Sequence, residues 1–263
     1  MRRYFGYLRL AFLRGMMYRT SIYLSVINVG LLVLIQYYLW TTVFEKRSSV
    51  GNYSLQSLLT YVLIARVLSA FLQVNVDTEI GNRIRKGGIA TDLIRPVDLQ
   101  VSTFLESLGT SLTGLFLVTI PAFMILLGLG LVRLPHDLLA FICFSMSVTL
   151  AYALLFSVSY VFGLLAFWTK TGWGLSDVKD ALLLFFSGSF LPVELYPTWL
   201  RTIAEILPFR SIIDTPMRLY MGGMEPRVVL GLLLQQLVWT IFLLGLGRLL
   251  WNAAMRRLEV YGG

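Results

Sequence analysis

The stretch from Ala181 to Phe209, ALLLFFSGSFLPVELYPTWLRTIAEILPF, begins as a membrane-crossing helix and does not finish as one. Its uninterrupted apolar part, Ala181 to Leu191, is about half of the roughly 20 residues that span a bilayer. Pro192 and Pro197 then break it, and Glu194, Arg201 and Glu205 place charge where more hydrocarbon is expected. Such a segment must line a cavity or be covered by protein, because lipid cannot satisfy its backbone groups. From Thr198 to Leu207 an amphipathic helical pattern returns, and Pro208 stops it. One reading is that Ser187-Gly188-Ser189 only permits close helix packing and Pro192 only ends a helix. The better fit is a re-entrant hairpin of two short helices, with Phe190, Tyr196, Trp199, Phe209 and Tyr220 at interfacial depth.

The rest of the chain sets this segment in a membrane. Of 263 residues, 57% are hydrophobic and 14% charged, against about 25% charged in soluble proteins. Long apolar runs without strand alternation favour helices over a barrel. The expected fold is all-α, an integral membrane protein formed as one domain over residues 1–263. Six crossings are expected, near Ser21–Phe44, Tyr53–Val76, Val101–Val132, Leu138–Trp168, Val178–Leu191 and Val228–Trp251. Pro121 predicts a kink in the third. Residues 1–19 read as an interfacial helix, with Arg2, Arg3, Arg9 and Arg14 toward anionic headgroups and Phe5, Leu8, Phe12 and Met16 opposite. Arginines run through the whole segment, which is unlike a cleavable signal.

Charge sets the orientation. With the N-terminus cytoplasmic, fourteen of the 22 Lys and Arg fall inside, seven outside, and Arg66 within a crossing. Both termini are then cytoplasmic, and residues 192–227 form the largest external region. The net charge of +8 reads as basic flanks of membrane helices, with membrane lipid rather than nucleic acid as the partner. One cysteine, Cys143, and one histidine, His136, leave no disulfide and no metal cluster to expect; His136 reads as a solvated turn residue.

No catalytic constellation is visible. Lys170-Thr171 follows Thr169 rather than the glycine of a nucleotide-binding loop, so the chain should not hydrolyse ATP by itself. Paired acids or histidines of an ion-coupled transporter are also missing from the crossings. Arg66, deep in TYVLIARVLSAF, must face a cavity, a partner helix or a carboxylate. It reads either as a pathway or interface residue or as a structural one. The rival classes are a membrane-embedded lipid-modifying enzyme, which needs clustered acids or histidines at one face, and a non-transporting scaffold.

The first cytoplasmic loop, residues 77–100, reads DTEIGNRIRKGGIATDLIRPVDLQ, with a short helix expected at Ile89–Leu93 between the glycine pair and Arg95-Pro96. A solvated loop and a helix docking on a cytoplasmic partner are both open on these residues alone.

The order of parts resembles the permease subunits of type-2 ABC exporters: a basic N-terminal helix, six crossings, a charged first loop and a broken hairpin before the last crossing. IRKGGIATDLIRPVD (84–98) and SGSFLPVELYPTWLRTIAEILPF (187–209) are most similar to a branch of small permeases related to drug-resistance and viologen-type exporters. The resemblance implies a multi-pass protein of the bacterial inner membrane. It implies a second permease subunit, identical or paralogous, and separate ABC ATPase subunits that carry ATP and Mg; no cofactor is implied on this chain. It assigns ATPase coupling to Arg85, Lys86, Gly87, Gly88, Ile89, Asp92, Leu93 and Arg95. It assigns an external gate to Gly188, Phe190, Pro192, Glu194, Pro197 and Pro208.

Overall fold

A computed structural model describes residues 2–89, 97–135, 137–169 and 173–256. Regular structure among them is helical. Helix α1 is Arg2–Met17, α2 Arg19–Glu45, α3 Leu55–Phe71 and α4 Val76–Arg85. Helix α5 runs Leu99–Gly128 and contains one π-helical turn, Leu115–Thr119, before Pro121. Helix α6 is Leu138–Thr169, α7 Trp173–Phe186, α8 Thr198–Ile206, α9 Arg210–Met221 and α10 Pro226–Met255.

Five of these stretches are long and apolar enough to cross a membrane: α2, α3 with α4, α5, α6 and α10. The protein is therefore a multi-pass membrane protein. One end of the bundle, the near end, carries α1, α4 and the start of α5. The far end carries residues 46–54, 129–135 and 187–209. Local chemistry sets the ends of the helices. The Ser54 side chain accepts from the Ser57 amide, Asp98 from Val101 at 3.1 Å, and Asp137 from Ala140 at 2.6 Å. Gly130, at φ +68°, turns the chain out of α5.

Two expected crossings differ. The fifth, expected at Val178–Leu191, is α7, which has 14 residues and a length of about 21 Å, so it falls short of the other five. It stops at Phe186, ahead of Pro192. The Ser187 carbonyl accepts from the Asp214 amide at 2.9 Å, and Gly188 takes φ +79°. The second crossing breaks at Leu72–Asn75 and then continues as α4. Side chains satisfy the broken backbone: Ser111 Oγ donates to the Gln73 carbonyl (3.2 Å), and Ser159 Oγ (3.3 Å) and Lys179 Nζ (3.4 Å) to that of Val74. The first half of the expected loop 77–100 is thus helix packed on α6, where a Cβ at Gly163 would lie 3.0 Å from the Asp77 Cα.

Helix α3 forms the centre, with Leu58, Tyr61, Leu63 and Ala65 fully buried. Phe71 stacks on Tyr152 (5.4 Å between centroids) and Phe104 meets Phe156 edge-on (5.0 Å). Helix α1 docks on α5 rather than lying free. Gly109 brings the two backbones together, a Cβ there reaching 2.9 Å from Ala11 Cβ, and Thr113 Oγ1 donates to the Phe12 carbonyl at 3.2 Å.

Candidate functional site

The broken segment closes on a buried carboxylate. Asp214, in α9, is fully buried. Its Oδ1 accepts from the Val193 amide at 3.1 Å and lies 2.8 Å from the Tyr61 hydroxyl; its Oδ2 accepts from Arg210 Nε at 2.9 Å. The Tyr61 hydroxyl is also 3.1 Å from the Gly188 carbonyl. A carboxylate this deep is tolerated because its oxygens are satisfied and one partner carries the opposite charge. One residue thus fixes α3, the turn at Val193 and α9 through its side chain, and the end of α7 through its backbone amide.

Gly188 sits inside this cluster. A Cβ there would lie 2.9 Å from both Asp214 Cβ and the Tyr61 hydroxyl, so glycine is required by space as well as by φ. Glu194 lies one shell outward, accepting from the Tyr53 hydroxyl at 3.1 Å and pairing with Arg218 at 3.2 Å. Burial first, then the Glu194 charge, pushes the Tyr53 hydroxyl pKa up. Pro192 precedes the 3-10 turn Val193–Leu195, Pro197 caps α8, and Pro208 opens the turn into α9. Phe190 is half exposed and stays outside the cluster. In α8, Glu205 bonds Arg201 Nε at 2.9 Å and lies 3.5 Å from Arg210.

At the near end, Arg85 closes α4 and Lys86 is its C-cap. Gly87 takes φ +70°, and the Gly88 amide donates to the Arg83 carbonyl at 2.8 Å. Ile89 is buried. Arg83 ties this turn to α5 through Glu106 at 3.1 Å and pairs with Glu79 in its own helix. Asp92, Leu93 and Arg95 lie outside the described residues, as do most of the helix expected at Ile89–Leu93, His136 and Lys170-Thr171.

A buried ion pair links helices leading to the two regions. Lys179 Nζ in α7 is 2.7 Å from Asp77 Oδ1 in α4, with both side chains at most 3% exposed, and 3.3 Å from the exposed Asp180. Helix α4 leads into the Gly87 turn; α7 leads into the Gly188 break. Arg66 stands apart, about two-thirds of the way along α3, donating to Asn28 Oδ1 of α2 at 3.3 Å.

Reading the sequence singled out Gly188, Glu194 and Arg66 but missed Asp214, Arg210, Tyr61, Asp77, Lys179 and Asn28. The i, i+4 spacing of Arg210 and Asp214 in a segment full of apolar residues was the available signal. The arrangement cross-links backbone elements and offers no nucleophile–base pair; among the described residues no cluster of His, Cys, Asp and Glu is placed to hold a metal.

None of the curated proteins matches the chain. A family model described as ABC-2 family transporter protein matches residues 31–262, which takes in Arg66, the Gly87 turn, the Lys179–Asp77 pair and the whole broken segment. With a match over most of its length, and a bundle of long apolar helices joined at its far end by the polar lock on Asp214, the chain belongs to the ABC-2 transporter family.

Proposed function

We propose that this chain is the permease subunit of an ATP-driven exporter in the bacterial inner membrane, of the small drug- and viologen-export-like branch. Its near end and both termini face the cytoplasm, and α7 is a sixth, short crossing. Separate ABC ATPase subunits, holding ATP and Mg, dock on the turn that includes Arg85, Lys86, Gly87, Gly88 and Ile89 and continues through Asp92, Leu93 and Arg95. A second permease subunit completes the pathway. The segment Gly188–Pro208, with α8 and α9, is a re-entrant external hairpin that gates it.

Family membership over residues 31–262 carries this reading. The Lys179–Asp77 pair supports it: displacement of α4 by a docked ATPase would be passed to α7 and so to the Gly188 break, because separating a buried pair is costly. The test is co-purification of the tagged chain with an ATPase encoded beside it, followed by export from intact cells. Gly87→Trp should insert normally and lower export to background; wild-type export by that variant overturns the coupling assignment. Absence of any co-purifying ATPase overturns the subunit assignment.

A further inference from the structure

A second polar feature lies away from the lock. Between α2, α3 and α5 is a cavity of about 480 Å³ whose polar lining is Arg66, Asn28, Ser21, Ser25, Ser69 and Gln73, within the roughly 300–1,000 Å³ typical of small-molecule sites. Arg66 is eleven residues from the first residue of α3, or about 16 Å by helical rise. That is mid-depth for a hydrocarbon layer about 30 Å thick. A guanidinium carries five donors. Here one bonds Asn28, and Nε is buried with no acceptor. Among the described residues no carboxylate pairs with Arg66. The other polar groups lining the cavity are neutral hydroxyls and amides, and the rest of the lining is apolar, so the site favours an acceptor-rich anion.

An apolar groove adjoins the cavity. A space of about 150 Å³ between α2 and α5 shares Val29 and Val118 with it and runs toward the far end past Gly30, Pro121 and Ile125. A Cβ at Gly30 would meet nothing within 4 Å, so the groove is open where a side chain would narrow it. Leu24, Ile27 and Leu31 on α2 are each more than half exposed, which opens the mouth to the hydrocarbon layer. A charged head and an adjoining apolar groove match a ligand with both parts.

We propose that this cavity binds an anionic amphiphile, with its phosphate or carboxylate on Arg66 and its chain in the α2–α5 groove. A phosphate or carboxylate would supply the acceptor that Arg66 Nε lacks and a charge opposite to its own. A bilayer lipid and a transported amphiphile share this chemistry.

The test uses the full-length chain in neutral detergent, titrated with dodecyl phosphate and, as control, dodecyltrimethylammonium. Saturable binding of the phosphate alone is expected, weakened at least about tenfold by Arg66→Gln and largely kept by Arg66→Lys. Asn28→Asp places a carboxylate where the Asn28 oxygen now lies 3.3 Å from the guanidinium and should compete as Arg66→Gln does. Gly30→Leu should weaken dodecyl phosphate while leaving butyl phosphate unchanged. In nanodiscs containing phosphatidylglycerol, one retained lipid lost in Arg66→Gln identifies bilayer lipid as the source; dodecyl phosphate binding without retained lipid identifies a free amphiphile. Both sustain the proposal. Equal binding by wild type and Arg66→Gln overturns it, as does absence of saturable binding because a second copy's carboxylate covers the cavity. If Arg66→Gln does not fold, undiminished binding by Asn28→Asp overturns it. The measurement needs no ATPase, so its failure and failure of the coupling reading are separate results.

Discussion

At the scale of single residues, the far end depends on Asp214. Removing its carboxylate leaves Arg210, 7% exposed, without its closest charge partner and takes an acceptor from the Val193 amide and the Tyr61 hydroxyl. Asp214→Ala should therefore cost about 3–5 kcal/mol, measured as a fall in the unfolding temperature of the detergent-solubilised chain. Gly188→Ala should cost about 2 kcal/mol by the same measurement, from positive φ and the 2.9 Å approaches. Glu205 gives a pH signature. The hydrogen bond from Arg201 is the largest cause holding its carboxyl below the ordinary value of 4.5. A carboxyl with a depressed folded-state pKa adds stability above its unfolded value and loses it as pH falls through the folded one. The stability difference between wild type and Glu205→Gln should then hold from neutral pH down to near the ordinary carboxyl value, shrink below it, and be lost as pH falls through the lower folded-state value. A difference that grows on acidification would exclude this role.

At the scale of elements, the two interrupted helices matter most. The break at Leu72–Asn75 bends the second crossing so that α4 packs on α6, and the Lys179–Asp77 pair holds α7 against it. Because both side chains are buried, removing one partner strands a charge, whereas removing both does not. Lys179→Met should lower stability by about 3–5 kcal/mol, and Asp77→Asn in the same chain should recover part of that loss. Additive losses in the double-mutant cycle would show that the pair does not couple α4 to α7. The sequence made Asp77 look like part of a solvated loop because charge density there is high. Only the fold brings the lone lysine of α7 within 2.7 Å of it.

At the scale of the whole molecule, orientation is the property on which the functional reading turns. In a Cys143→Ser background, Arg47→Cys should react with a membrane-impermeant maleimide in intact cells, and Gly87→Cys only after permeabilisation. The reverse pattern would place the Gly87 turn outside and remove it as an ATPase contact. The outward faces fit lipid or another subunit: Tyr23, Leu34, Val238 and Ile241 on α2 and α10 are each more than half exposed, which a membrane tolerates and water does not.

The sequence by itself determined the class: composition and run length require membrane helices, the prolines and charges after Leu191 require a broken segment, and a charge within a crossing marks Arg66. These are local properties, readable because hydrocarbon penalises exposed backbone and unpaired charge wherever they fall. Which residues meet was decided by tertiary structure. Tyr61 and Asp214 are 153 positions apart, Asp77 and Lys179 102, and neither pair leaves a periodic trace, since a single polar side chain is buried only where another element supplies its partner. The segment from Ala181 to Phe209 shows both: its break was legible in Pro192 and Pro197, but the helix ends at Phe186 because Gly188 and Asp214 meet there.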